Sequence, residues 1–187
     1  MENVTSNSSR HKLLPSVAVC LLIILLFELT LSVRRETQTW DEACHIFAGY
    51  SYWTRGDFGM NPEHPPLLKL LGTAPLLSVQ LWVPPHPSIF SKEEDFITAA
   101  DFVYRNDAEK ILFRTRMAAA SLTLALALIM FFAAKEMFGS GPAVIALTLF
   151  VFEPTVLAHG ALVTTDMAMS CFLLATVYCF SPPHRCG

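Results

Sequence analysis

Leu13 to Val33, LLPSVAVCLLIILLFELTLSV, is an almost unbroken apolar run interrupted by Glu28 and a few small polar residues. About 20 residues of helix cover roughly 30 Å of hydrocarbon, so the run predicts a first transmembrane helix over about 13–33. A cleaved signal peptide would have a shorter apolar core and a small-residue cleavage site. Here Arg34-Arg35 follows directly, which predicts an uncleaved anchor.

The composition agrees with that reading. At 53% hydrophobic and 16% charged over 187 residues, with a mean hydropathy of +0.45, the chain is too apolar for an ordinary soluble domain. Its net charge of -3 and scattered basic residues lack the cationic footprint of a nucleic-acid binder, so no nucleic-acid partner is expected. Five cysteines without a C-x-x-C pair point to neither a disulfide framework nor a zinc knuckle.

Three further apolar runs, over about 112–134, 142–158 and 162–180, predict an all-α membrane protein of about four transmembrane helices. The Gly139-Ser140-Gly141-Pro142 turn joins the second and third, and Glu153-Pro154 breaks the third. The last two runs are short for full spans, so their polar ends are expected near one interface. Arg10, Lys12 and Lys135 fit an inside assignment. That puts the long 34–111 loop and the Thr155–Asp166 turn together on the outer side.

The outer loop carries Trp40, Tyr50, Tyr52, Trp53, Phe58 and Trp82, aromatics that favour the headgroup region. Pro65 to Leu77 reads as a short interfacial helix, stopped by Pro84-Pro85-His86-Pro87. Asp95 to Arg105 reads as a surface helix or turn without a chemical signature.

Within this loop stand Trp40-Asp41-Glu42-Ala43-Cys44-His45 and Pro62-Glu63-His64-Pro65-Pro66-Leu67-Leu68-Lys69. Two readings compete for Asp41-Glu42. Thr39-x-x-Glu42 is a capping box that needs no function, yet a helix start also holds a carboxylate rigidly enough for catalysis. His45 follows Asp41 by one helical turn and shares its face. Glu63 and His64 are held out of a helix by the prolines that follow, and a single Glu-His pair is a weak metal signal. Asp166 marks either a functional carboxylate or the water-exposed start of the last helix. Glu28 and Glu153 sit in or beside apolar runs, where a carboxylate is costly and is expected to face a protein interior.

Asp41-Glu42-x-x-His45 followed by Glu63-His64-Pro65-Pro66-Leu67-Leu68-Lys69-Leu70-Leu71 resembles the GT-C superfamily of membrane glycosyltransferases. The nearest pattern is the dolichyl-phosphate-mannose protein mannosyltransferase family, with its Asp-Glu pair and His-Pro-Pro-Leu-x-Lys-Leu-Leu motif. The chain is also similar to the bacterial aminoarabinose transferases, whose lysine is replaced here by His64. His159-Gly160-Ala161-Leu162-Val163-Thr164-Thr165-Asp166-Met167-Ala168 looks like the family's second outer loop.

The resemblance implies transfer of a sugar from a polyprenyl-phosphate carrier to a hydroxyl of a protein, lipid or glycan acceptor, with inversion. The setting would be the outer or lumenal face of a bacterial inner membrane or the endoplasmic reticulum membrane. It implies Asp41 as general base with Glu42 beside it; His64, Lys69 and Arg55 toward the donor phosphate; and Asp166 and His45 toward donor or acceptor. A divalent metal at Glu63 is left open. Because the family usually has a dozen or so membrane helices, residues 1–187 are expected to be the amino-terminal part of one such domain. Two other classes compete: a transporter subunit using Glu28, Glu153 and Asp166 as coupling carboxylates, and a catalytically silent assembly partner.

Overall fold

The computed structural model describes residues 3–85 and 92–180, with side chains over 14–85 and 93–180. His86, Pro87 and the Ser181–Gly187 tail lie outside the described residues, so the proline stop is seen only to Pro85. Among the described residues the chain is helical without strands, as expected of an all-α membrane protein.

Among the described residues two helices are long and apolar enough to span a bilayer. In α1, Asn3–Arg35, the stretch Leu14–Arg35 contains an 18-residue window of mean hydropathy 2.5. At 1.5 Å per residue it reaches about 33 Å. In α5, Ala108–Phe138, the corresponding value is 2.2. Both helices run past the limits expected from the sequence, because charged and polar flanks continue a helix once the apolar core has nucleated it.

The other two expected spans are shorter. Gly139 turns the chain with φ +89°, a conformation L side chains rarely adopt, and α6, Ser140–Val151, follows at once. Pro154 lacks an amide to continue α6, so a separate short helix, α7, begins there and runs Pro154–His159. The Glu153 carboxylate accepts from Val156 N at 2.8 Å to cap it. After a turn, α8 covers Thr165–Phe180. At 12 and 16 residues, α6 and α8 rise only about 18 and 24 Å.

The long loop between α1 and α5 is built on three helices among its described residues. Glu42–Arg55 forms α2, Pro66–Thr73 forms α3 with a 3-10 turn over Ala74–Ser78, and Lys92–Tyr104 forms α4. Helices α2 and α3 pack so closely that a Cβ on Gly49 would overlap the Lys69 carbonyl and lie 2.7 Å from Thr73 Oγ1. The Trp53 indole donates to Leu70 O at 2.9 Å across the same contact.

Among the described residues there are two apolar cores. Ile46, Phe47 and Tyr50 of α2 pack with Phe102 and Val103 of α4 and with Ile111 of α5. Leu21, Leu25 and Leu29 of α1 pack with Ala127 and Phe131 of α5 and with Leu147 and Val151 of α6. Helix α5 contributes to both cores, which fixes the outer-loop helices to the bundle. Of the loop aromatics expected in the headgroup region, Trp40, Trp53, Phe58 and Trp82 are exposed, whereas Tyr50 and Tyr52 are buried against neighbouring helices and are not free to face lipid.

Candidate functional site

Asp41 is the N-cap residue of α2, exposed, and its carboxylate makes no capping bond. Glu42, next to it, is completely buried. Its carboxylate faces the guanidinium of Arg116 in a two-pronged pair, Nε to Oε1 at 2.9 Å and Nη2 to Oε2 at 2.6 Å. Adjacent carboxylates thus meet opposite fates, because α2 turns Glu42 toward α5 and Asp41 away from it.

The Glu42 carboxylate is saturated. Thr39 N and Thr39 Oγ1 donate to Oε2 at 3.0 and 3.1 Å, and Val163 N donates to Oε1 at 3.2 Å. The capping-box reading is therefore half realised: Glu42 reaches back to Thr39 N, while Asp41 rather than Thr39 stands at the cap. Burial pushes the Glu42 carboxyl up, but the hydrogen bonds from Arg116 and Thr39 outweigh it and hold it below the usual carboxylate range. A carboxylate so engaged accepts no proton from a substrate. Glu42 anchors Asp41.

Arg116 is as buried as its partner, at 1% exposure, and also donates to the Glu36 and Thr37 carbonyls at 2.8 Å each. It thereby clamps the link between α1 and α2. No motif in the sequence singled it out. A usable signal existed: Arg116 is in register with Ala119, Ala120 and Thr123, the inward face of α5, and an inward cation at a span's edge needs a partner. Arg114, on another face, donates to Pro75 O at 3.1 Å.

The second outer-loop motif meets the first at Val163. Thr123 Oγ1 donates to Gly160 O at 2.5 Å, and a Cβ on Gly160 would come within 2.8 Å of Leu29 Cδ2. The 160–164 turn is thus pressed onto α1 and α5, with the Val163 amide against Glu42. Asp166, exposed in the first turn of α8, accepts from Thr164 Oγ1 at 3.1 Å. The helix-start reading of Asp166 describes its local bonding, and Glu153 is likewise a helix cap. Of the three coupling carboxylates expected by the transporter reading, two therefore sit at helix starts. Glu28 Oε2 is buried without a hydrogen-bond partner.

His45 is 2% exposed, and its ring lies edge-on to that of His64, centroids 4.8 Å apart. The buried His45 ring backs the half-exposed His64. Burial drives the His45 imidazole down to about 4, with His64 and Lys69 acting in the same direction against Asp41 and Glu42.

That shift makes folding acid-sensitive. His45 binds a proton near pH 6.5 when unfolded and only near 4 when folded, so its contribution is complete above 6.5 and is lost as pH falls toward 4. Unfolding free energy should drop by about 3 kcal/mol across that window. His45→Gln should flatten the profile between pH 6.5 and 4.5, as read by thermal unfolding in detergent; an unchanged slope would contradict the assignment.

Two residues expected to face the donor phosphate are turned elsewhere. Lys69 is fully buried; its ammonium donates to the Asn61 carbonyl and to Tyr52 Oη at 3.1 Å, and Tyr52 Oη donates to Met60 O at 2.7 Å. Burial pulls Lys69 down to about 8 against Cys44, Asp95 and Glu63. It braces the loop that carries Glu63 and His64. Asp95 of α4, which had no chemical signature in the sequence, joins this brace by accepting from Asn61 N at 3.3 Å. Arg55 lies at the far end of α2, about 20 Å from Asp41 by helical rise, and donates to Pro84 O at 2.8 Å.

Glu63 is exposed beside His64. Among the described residues no group of three or more His, Cys, Asp or Glu side chains converges at Glu63. Asp41, Glu63 and Asp166 are exposed and His64 is half-exposed, while His45, Glu42, Arg116 and Lys69 are buried. Asp41 and His64 both act on the buried His45 imidazole, which puts an exposed carboxylate and a half-exposed imidazole in one neighbourhood.

A family model described as dolichyl-phosphate-mannose-protein mannosyltransferase matches residues 16–185. No curated protein and no solved structure matches the chain.

Proposed function

The chain belongs to the dolichyl-phosphate-mannose-protein mannosyltransferase family, and from that premise we propose that it carries the catalytic base of an inverting membrane mannosyltransferase. The donor is a polyprenyl-phosphate-linked mannose, the acceptor a Ser or Thr hydroxyl of a protein, and the reaction takes place at the outer or lumenal face. The observation that carries this reading is the contrast at Asp41-Glu42: one carboxylate exposed and uncapped, its neighbour buried and locked to Arg116.

The chemistry follows from that contrast. An acceptor alcohol has a pKa far above 7 and attacks C1 of the sugar only as its proton leaves. Asp41 takes that proton while the acceptor oxygen bonds to C1 and the bond from C1 to the phosphate oxygen breaks. Negative charge grows on the departing lipid phosphate, toward which the half-exposed His64 imidazole donates. The family also supports a glycosyltransferase over a transporter.

A single displacement inverts the anomeric carbon. Product peptide made from a donor of defined configuration should carry the opposite anomer, as read by NMR of the glycopeptide. Retained configuration would overturn the direct displacement and, with it, Asp41 as base.

A further inference from the structure

We propose that the outer end of α1 and α5 forms a binding site for a phospholipid whose headgroup carries both a phosphate and an N–H donor, such as phosphatidylethanolamine, separate from the Asp41 face. The site is a cavity of about 720 Å³ where the α1 span ends and the α5 span begins. That places it at the boundary between hydrocarbon and water.

Its walls match the two ends of such a lipid. Val33, Leu112 and Phe113 supply an apolar side continuous with the spans. Arg34, Arg35 and Lys110 supply three cations, and among the described residues none of them is in an ion pair. The Arg34 guanidinium lies over the Phe113 ring, 5.4 Å from its centroid, which keeps one cation at the apolar wall.

None of the cavity's carboxylates is in direct ion-pair contact with these cations among the described residues. Glu36 accepts from Ser32 Oγ at 2.8 Å and Asp107 from Lys110 N at 3.0 Å, so each is held by a neutral local donor. A phosphate therefore finds three cations without a direct carboxylate partner. Gln38 also lines the cavity, and its Oε1 is buried without a hydrogen-bond partner. A phosphate has no proton to give that oxygen, whereas an ethanolamine ammonium does, and Glu109 lines the same cavity. A choline headgroup has no N–H and leaves Gln38 unsatisfied.

The cavity is preformed. Arg116 holds the Glu36 and Thr37 carbonyls from behind, so the link that forms one wall is fixed before any ligand arrives.

Native mass spectrometry of the whole protein released from detergent, with phosphatidylethanolamine or phosphatidylcholine of matched chains, tests this directly. One tightly retained phosphatidylethanolamine is expected, preferred over phosphatidylcholine by about tenfold. Arg34→Ala with Lys110→Ala should remove the retained lipid, and Gln38→Leu should equalise the two lipids while leaving the cations in place. Arg105→Ala, whose guanidinium pairs with Asp101 outside the cavity, should change neither. Equal retention of both lipids by the native sequence would overturn the proposal. So would a preference that survives in Gln38→Leu, or retention by the double variant with its helix content intact. Displacement by soluble phosphoethanolamine at matched concentration would assign the site to a free metabolite, and displacement by a Ser/Thr peptide would assign it to the acceptor; either result also refutes the lipid.

Discussion

Arg116→Ala is expected to lower unfolding free energy by about 3–5 kcal/mol, the range for breaking a buried ion pair by removing one partner. The loss exceeds that of an average core truncation because the Glu42 carboxylate stays behind, completely buried, with its strongest two donors gone. The Glu36 and Thr37 carbonyls lose their donor as well. Arg116→Lys should recover only part of the loss, since an ammonium cannot reproduce the planar two-pronged contact. Denaturant unfolding in detergent measures both. An Arg116→Ala protein within about 1 kcal/mol of native stability would mean that the pair is not buried as described.

Asp41→Asn is expected to reduce mannosyl transfer by about 10²–10⁴-fold, the usual contribution of a positioned general base. The substitution keeps shape and removes only the capacity to take a proton. Stability should change by less than about 1 kcal/mol, because Asp41 is exposed and caps no amide of α2; its helix-dipole contribution sets that upper bound. The expected signature is loss of turnover in a normally folded protein. Transfer to a Ser/Thr peptide from polyprenyl-phosphate mannose, measured with the membrane-inserted protein, checks the rate. Equal thermal midpoints establish that folding is matched.

Much of the fold was legible because membrane spans announce themselves through length and apolarity. Glu153-Pro154 and Gly139 marked the breaks correctly, since a missing amide and a positive φ are local properties of the residues themselves. Asp41 and Glu42 could be separated only in part. Thr39 hinted that Glu42 bends back toward the chain, yet its main partner, Arg116, stands 74 residues away, and only the packing of α2 on α5 brings the two together.

Lys69 and Arg55 show the opposite failure. A motif places a lysine near a site but does not say which way the ammonium points. Here the crossing at Gly49 sets α3 so close to α2 that Lys69 is drawn inward to Tyr52 and Asn61. Arg55 shared a loop with Asp41 in sequence, but a straight helix between them carries it away. His45 was correctly placed on the face of Asp41, while its burial depended on packing that no spacing rule encodes.

The division of labour between Asp41 and Glu42 is tested most directly by one side-by-side measurement: transfer rate per folded molecule for Asp41→Asn and for the double substitution Glu42→Gln with Arg116→Met. Replacing both members of a buried pair leaves no lone charge behind and is often close to neutral for folding. If Asp41 is the base and Glu42 its anchor, the double variant keeps its rate within about tenfold while Asp41→Asn falls by about 10²-fold or more. A folded double variant that has lost transfer, beside an Asp41→Asn protein that retains it, would contradict that assignment and make Glu42 the base.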